Sequence, residues 1–251
     1  YMIDELEPDE EFHVVRFVTM AKEYLKEIYA DGKIPIIAGG TGFYIQALLY
    51  DIDFTEQQCD ETYRRQLEDL AREHGAEYLH GILREVDTAS AEAIHANNIK
   101  RVIRALEFYH LSGKKISEHN ETERQKQSPY NFAYFVLTDE RAKLYERIDR
   151  RVNAMIEAGL VEEVKKLKSM GCSREMVSMQ GLGYKEILAY LDGGCTLEEA
   201  VYIIKRETRH FAKRQLTWFK RERDVIWLDK QAFGYDDAAI LTDMISILEE
   251  K

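Results

Sequence analysis

Cysteine is scarce in this chain of 251 residues: Cys59, Cys172 and Cys195 stand far apart, odd in number, and no CxxC pair occurs. That excludes a disulfide framework and a zinc knuckle, and makes a reducing cytoplasm the expected setting. Long apolar runs are missing as well. No stretch of about 18 apolar residues is found, so no membrane-spanning helix is expected. Positive charge is in the minority, with 35 Lys and Arg against 46 Asp and Glu and a net charge of −11. The seven histidines are scattered. His74 and His80 have no ligand-like neighbours in sequence, so the histidines read as surface residues and no metal site is expected from them.

Against that acidic background one stretch is strongly basic. Eight Lys or Arg fall between Lys205 and Arg223, against only Glu207 and Glu222. Ile203, Ile204, Phe211, Leu216 and Phe219 recur at near-helical spacing, which predicts a long helix with one buried stripe. Arg206, Arg209 and Lys213 step by three and four residues and so stack along one face. A cationic face in an acidic chain suits phosphates; a solvated face over a buried aromatic stripe accounts for the same pattern.

Taken in order, residues 11–30 read as a helix ended by Asp31-Gly32-Lys33. Residues 34–38, Ile-Pro-Ile-Ile-Ala, form a short apolar run of the kind found in buried parallel strands. Gly39-Gly40-Thr41-Gly42 follows, then a helix over 43–50. Such strand–glycine turn–helix units bring backbone N–H groups close to a ligand, although a tight turn alone would look the same. From 60 to 113 only helices are expected, near 61–74, 76–85, 89–95 and 99–111, the last stopped by Ser112-Gly113. Residues 117–128 read as a polar loop. Further strands are expected at 132–137 and 225–228, with helices over 139–158 and 236–250. This gives an α/β core in two parts, 1–52 and 128–251, with an all-helical domain inserted over 53–127.

Six stretches in this order resemble one family, the bacterial tRNA dimethylallyltransferases, also called tRNA isopentenyltransferases. They are Gly39 to Tyr44 (GGTGFY), Ile94 to Glu107 (IHANNIKRVIRALE) and Leu137 to Met155 (LTDERAKLYERIDRRVNAM). Gln180 to Ile187 (QGLGYKEI), Thr208 to Phe219 (TRHFAKRQLTWF) and Val225 to Asp229 (VIWLD) complete the set. The resemblance implies a P-loop kinase-like core, a parallel sheet with helices, whose helical insertion grips the tRNA anticodon stem-loop. It implies transfer of a dimethylallyl group from dimethylallyl diphosphate to N6 of the adenosine 3′ of the anticodon, assisted by Mg2+. A monomer is expected.

Carried over position by position, the resemblance marks Thr41 and Arg64 as tRNA contacts. It also marks Lys100, Arg101, Val102, Ile103 and Arg104, together with Gln180, Gly181, Leu182, Gly183, Tyr184 and Lys185. Arg147 and Arg151 are expected to face the diphosphate, with Arg151 the first choice for the charge of the transition state. Arg209, Lys213 and Arg214 are expected phosphate contacts.

Two departures stand out. Ala96 occupies a place where the family commonly has Pro. No GxxxxGK[S/T] sequence occurs in the chain; the family carries that loop, the aspartate base and the main metal ligands upstream of the point that Tyr1-Met2-Ile3-Asp4 resembles. These 251 residues alone are therefore expected to be incomplete for catalysis. A non-catalytic tRNA-binding relative is the alternative.

Overall fold

The first ordered helix depends on caps as much as on its apolar stripe. In the computed structural model, which describes residues 1–54 and 60–250, α1 spans Val14–Ala30 and buries Val18, Ala21 and Leu25. His13 caps its start by accepting the Arg16 N–H, and Gly32 at φ +68° ends it. α2 (Gly42–Leu49) follows the glycine turn.

Five helices come next: α3 (Glu61–His74), α4 (Ala76–Val86), α5 (Thr88–Ala93), α6 (Ile99–Ser112) and α7 (Ile116–Gln125). Asp60 starts α3 by accepting the N–H groups of Thr62 and Tyr63, and Gly113 at φ +68° stops α6. β1 (Tyr134–Thr138), α8 (Arg141–Glu157), α9 (Leu160–Ser169) and a 3-10 turn over Ser178–Gln180 lead to α10 (Tyr184–Leu191). α11 (Leu197–Phe219), β2 (Val225–Asp229) and α12 (Asp237–Glu249) complete the order. α11 opens with a reciprocal capping box between Thr196 and Glu199, which satisfies two otherwise orphan donors.

Contacts divide the chain into two units, Tyr1–Leu48 with Tyr130–Lys251, and Leu49–Pro129. The first is a helix-rich α/β unit. β1 and β2 pair in parallel, Tyr134 opposite Val225 through Thr138 opposite Asp229. A parallel pair needs a long crossover, and α8 to α11 supply it. Their apolar faces meet in a core of Val152, Leu160, Val164, Cys172, Met179, Ile187, Leu188, Ala200 and Ile204. The second unit is all helical, built on Leu67, Leu79, Leu83, Val102, Ile103, Ala105 and Leu106.

Three expectations from the sequence are corrected. Residues 34–38 are not a strand: Ile34 and Ile36 stand 80% and 89% exposed, and no described residue pairs with the run. Apolar content makes a segment fit for a strand, but only a neighbour's N–H and C=O groups make it one. Residues 117–128 are not a loop, because α7 covers most of them. That helix is anchored by polar contacts: Ser117 on the Asp87 carboxylate, and buried Glu123, which accepts the Asp53 N–H at 2.8 Å. Hydrophobic periodicity had little to display there. His80 is buried rather than a surface residue. Its Nε2 lies 2.8 Å from both the Ala91 and Ile94 carbonyls, so that nitrogen must carry the proton.

Cys172 and Cys195 are free thiols; Cys59 lies outside the described residues. Among the described residues no helix is long and apolar enough to cross a membrane.

Candidate functional site

The glycine turn is seated directly on α11. Gln215 donates its side-chain amide to the Gly40 carbonyl at 2.7 Å. A Cβ at Gly40 would lie 2.3 Å from Gln215 Nε2, and one at Gly42 would lie 2.2 Å from Trp218 Cδ1. At Gly42 glycine is needed for close approach to the Trp218 ring, whereas at Gly40 the neighbour is the end of a flexible side chain; neither residue has a positive φ. Thr41, between them, is exposed, and its carbonyl accepts the Tyr44 and Ile45 N–H groups at 2.9 and 3.2 Å. The Phe43 ring meets the Trp218 indole edge-on at 6.1 Å. One turn further along, Gln46 donates to Glu222 at 3.3 Å. Burial pushes the Glu222 carboxyl above the usual glutamate range, opposed by Arg221, Arg223 and Trp218.

On α8 the buried residues Ile148 and Val152 define the inward stripe. Arg147 and Arg151 lie on one flank of that stripe and Asp149 on the other, from the helical period. Arg147 is engaged at 3.6 Å with Asp139, whose other oxygen accepts the Tyr235 hydroxyl at 3.0 Å. Arg151 is exposed and, among the described residues, makes no ion pair. Asp149 takes Arg209 from α11 at 3.0 and 3.3 Å. Arg209 is thereby a strut between two helices, which leaves less of its guanidinium for a ligand. Lys213 and Arg214 are exposed, Arg214 lying 5.8 Å over the Phe211 ring.

The stretch from Gln180 to Lys185 forms a shaped lip before α10. Gln180 and Gly181 are exposed, Leu182, Tyr184 and Lys185 are half-buried, and Gly183 is buried. Gly183 has φ +102°, a conformation that L side chains rarely adopt, and its N–H donates to buried Glu186 at 2.9 Å. Glu186 also stands 3.7 Å from the Lys185 ammonium. The Tyr184 hydroxyl donates to Glu163, and that bond, with burial, pushes the phenol up to about 12. The Gln180 amide bonds the Arg174 carbonyl.

In the helical unit Lys100, Arg101 and Arg104 are exposed on α6. Val102 and Ile103 are not available to a ligand as side chains: they are 0% and 5% exposed and belong to the core. The helix period turns these two inward and leaves the basic side chains of the segment facing out. Arg64 is also spoken for in large part. Its Nε and Nη2 each donate at 2.8 Å to Glu107, which is 2% exposed.

Gln215, Trp218 and Glu222 were hidden inside a basic stretch whose charges dominate a reading by composition. Glu107 was more legible, as an acid standing between Leu106 and Phe108 in an apolar run. Among the described residues no three His, Cys, Asp or Glu side chains come together to hold a metal ion.

The chain matches the family model described as IPP transferase over residues 1–222. It is 62% identical over 251 residues to a tRNA dimethylallyltransferase of Lachnoclostridium phytofermentans, covering all of this chain and 80% of that protein. A tRNA dimethylallyltransferase of Acetivibrio thermocellus is 51% identical over 240 residues, 96% of this chain and 77% of the relative. The full-length tRNA isopentenylpyrophosphate transferase of Bacillus halodurans superposes with a TM-score of 0.69 at 39% identity, over 100% of this chain and 77% of its own. A eukaryotic dimethylallyltransferase acting on tRNA superposes at 0.72 with 28% identity, over 90% of this chain and 59% of its own. With a glycine turn clamped on α11 and a match that runs through both units, this chain belongs to the IPP transferase family.

Proposed function

We propose that this chain modifies tRNA, moving a dimethylallyl group from dimethylallyl diphosphate to N6 of the adenosine 3′ of the anticodon. The observation that carries this reading is the 62% identity, over the whole chain, to a protein named for that transfer. In the reaction the adenine amine attacks the allylic carbon, a C–N bond forms, the C–O bond to diphosphate breaks, and the amine gives up a proton. A site for it must favour the negative charge gathering on the diphosphate and exclude competing water.

Arg151 suits the first task, because it is exposed and not already bound to a carboxylate. Arg147 supplies a second cation on the same flank, softened by Asp139. Thr41, the lip from Gln180 to Lys185, and Lys100, Arg101 and Arg104 are proposed to meet tRNA, with Lys213 and Arg214 meeting phosphates. Arg209 belongs to the phosphate group only through the part of its guanidinium that Asp149 leaves open. Magnesium as a counter-ion of the diphosphate rests on the anion's chemistry alone, and no step is assigned to it. A monomer in the cytoplasm is part of the same proposal.

The test is genetic and chemical. Nucleosides from the tRNA of cells deprived of the gene should lack dimethylallyl-adenosine by mass spectrometry, and restoring the gene should return it. An unchanged nucleoside profile would refute the reading. Gel shifts of the purified protein should show tRNA bound in preference to duplex DNA, with affinity falling steeply as salt rises.

A further inference from the structure

We infer that Gln215 and Trp218 are positioning residues for tRNA recognition, acting by fixing the glycine turn that presents Thr41. The inference rests on the proposed role of Thr41 in binding tRNA. Its basis is a set of three contacts between two segments far apart in sequence. Gln215 and Trp218 lie three residues apart on α11 and so share a face, and Glu222 follows just past the end of that helix. They meet Gly40, Gly42 and Gln46 in the same order.

Each of the three contacts restrains a different part of the turn. The Gln215 amide fixes the direction of the Gly40 carbonyl. The Trp218 indole occupies the space where a Cβ at residue 42 would sit, so it sets how far α2 stands from α11. Glu222 holds Gln46 and fixes the rotation of α2 about its axis. Thr41 is the residue left between the two clamped glycines. It is exposed, its carbonyl is committed to Tyr44 and Ile45, and its hydroxyl has no hydrogen-bond partner among the described residues.

A turn without side chains at 40 and 42 is floppy when free, because glycine retains the widest backbone freedom. Held from one side by a directed hydrogen bond and a flat ring, it presents one hydroxyl in one place. Such pre-organisation lowers the ordering cost of binding. Packing alone would need no donor at Gln215, and any apolar residue of similar length would serve.

The experiment combines a double-mutant cycle with hydrogen exchange. Gln215→Leu keeps the volume and removes the donor. It should weaken tRNA binding about 5–10-fold, the scale of one hydrogen bond, with the melting temperature nearly unchanged. In a Thr41→Val background the same substitution should cost less than about twofold, because coupled residues are not additive. Amide exchange over residues 41–45 should quicken in Gln215→Leu while that of α3 to α6 stays put. Gly42→Ala, which collides with the indole, should lose tRNA affinity, and Trp218→Leu in the same chain should recover part of it.

Additive losses in the cycle, or unchanged exchange at the turn, would overturn the positioning role even if tRNA still binds the unmutated protein. If that protein shows no preference for tRNA, the proposed function fails and this inference falls with it. The exchange data then still show whether Gln215 holds the turn.

Discussion

Arg64 and Glu107 form a two-pronged ion pair inside the helical unit, Nε and Nη2 of the arginine each 2.8 Å from a carboxylate oxygen. The glutamate is 2% exposed and the arginine side chain 43%. Removing one partner of a buried pair leaves a charge without compensation. With Arg64 partly in water, Arg64→Ala should destabilise the protein by about 2 kcal/mol, read as a lower denaturant midpoint. Arg64→Lys should restore only part of it, since an ammonium cannot reproduce the planar fork. A stability indistinguishable from the parent would return Arg64 to the role of an RNA contact alone.

This pair also shows what the sequence could and could not disclose. Helix positions were legible because caps and apolar spacing are local: Asp60 before α3, Gly113 after α6, and the stripe of α11. Partners were not. Nothing in the chain near Arg64 points to Glu107, 43 residues away, and nothing near Gly40 points to Gln215. The run from Ile34 to Ala38 misled because a strand depends on what lies across from it. Exposed cations at Lys100, Arg101 and Arg104 were legible because a charged residue facing water needs no partner to explain it.

A second buried acid links three helical segments. Asp87 accepts the N–H and hydroxyl of Ser90 at 3.0 and 2.7 Å, and those of Ser117 at the same two distances. Burial pushes its carboxyl up, but these four bonds outweigh it and leave the pKa below the usual 3.8. Its contribution to stability is thus present above that value and lost as pH falls through the lowered one. Asp87→Asn places an amide nitrogen against donors and should cost roughly 3 kcal/mol, separating α5 from α7. A midpoint within error of the parent's would mean that water satisfies the serines instead.

Glu222 behaves in the opposite sense. Burial holds its carboxyl above the usual 4.5, so the folded state binds the proton more tightly than the unfolded chain. Stability therefore declines as pH rises from 4.5 through the raised value. Glu222→Gln keeps the shape and removes the charge. It should be the more stable protein near neutrality, and the advantage should shrink in acid. Denaturation curves across that range decide the matter, and a difference that ignores pH would show that the carboxylate is well solvated.

Arg151 and Arg147 share a flank of α8 but differ in what already holds them. Arg147 faces Asp139 at 3.6 Å, so part of its field is cancelled before any ligand arrives. Arg151 has no carboxylate partner among the described residues and can turn its guanidinium toward a diphosphate without breaking a bond. If the leaving diphosphate is stabilised from this flank, Arg151→Ala should slow prenyl transfer by the gene product roughly 10²-fold. Its affinity for tRNA should hardly change, because the lost interaction forms as charge develops on the diphosphate. Arg147→Ala should cost less, and Asp139→Asn should leave transfer intact or quicken it by freeing Arg147. Single-turnover rates with saturating tRNA separate these outcomes. Near-normal transfer in Arg151→Ala would assign that arginine to the solvated surface of α8 and move the charge-stabilising role elsewhere.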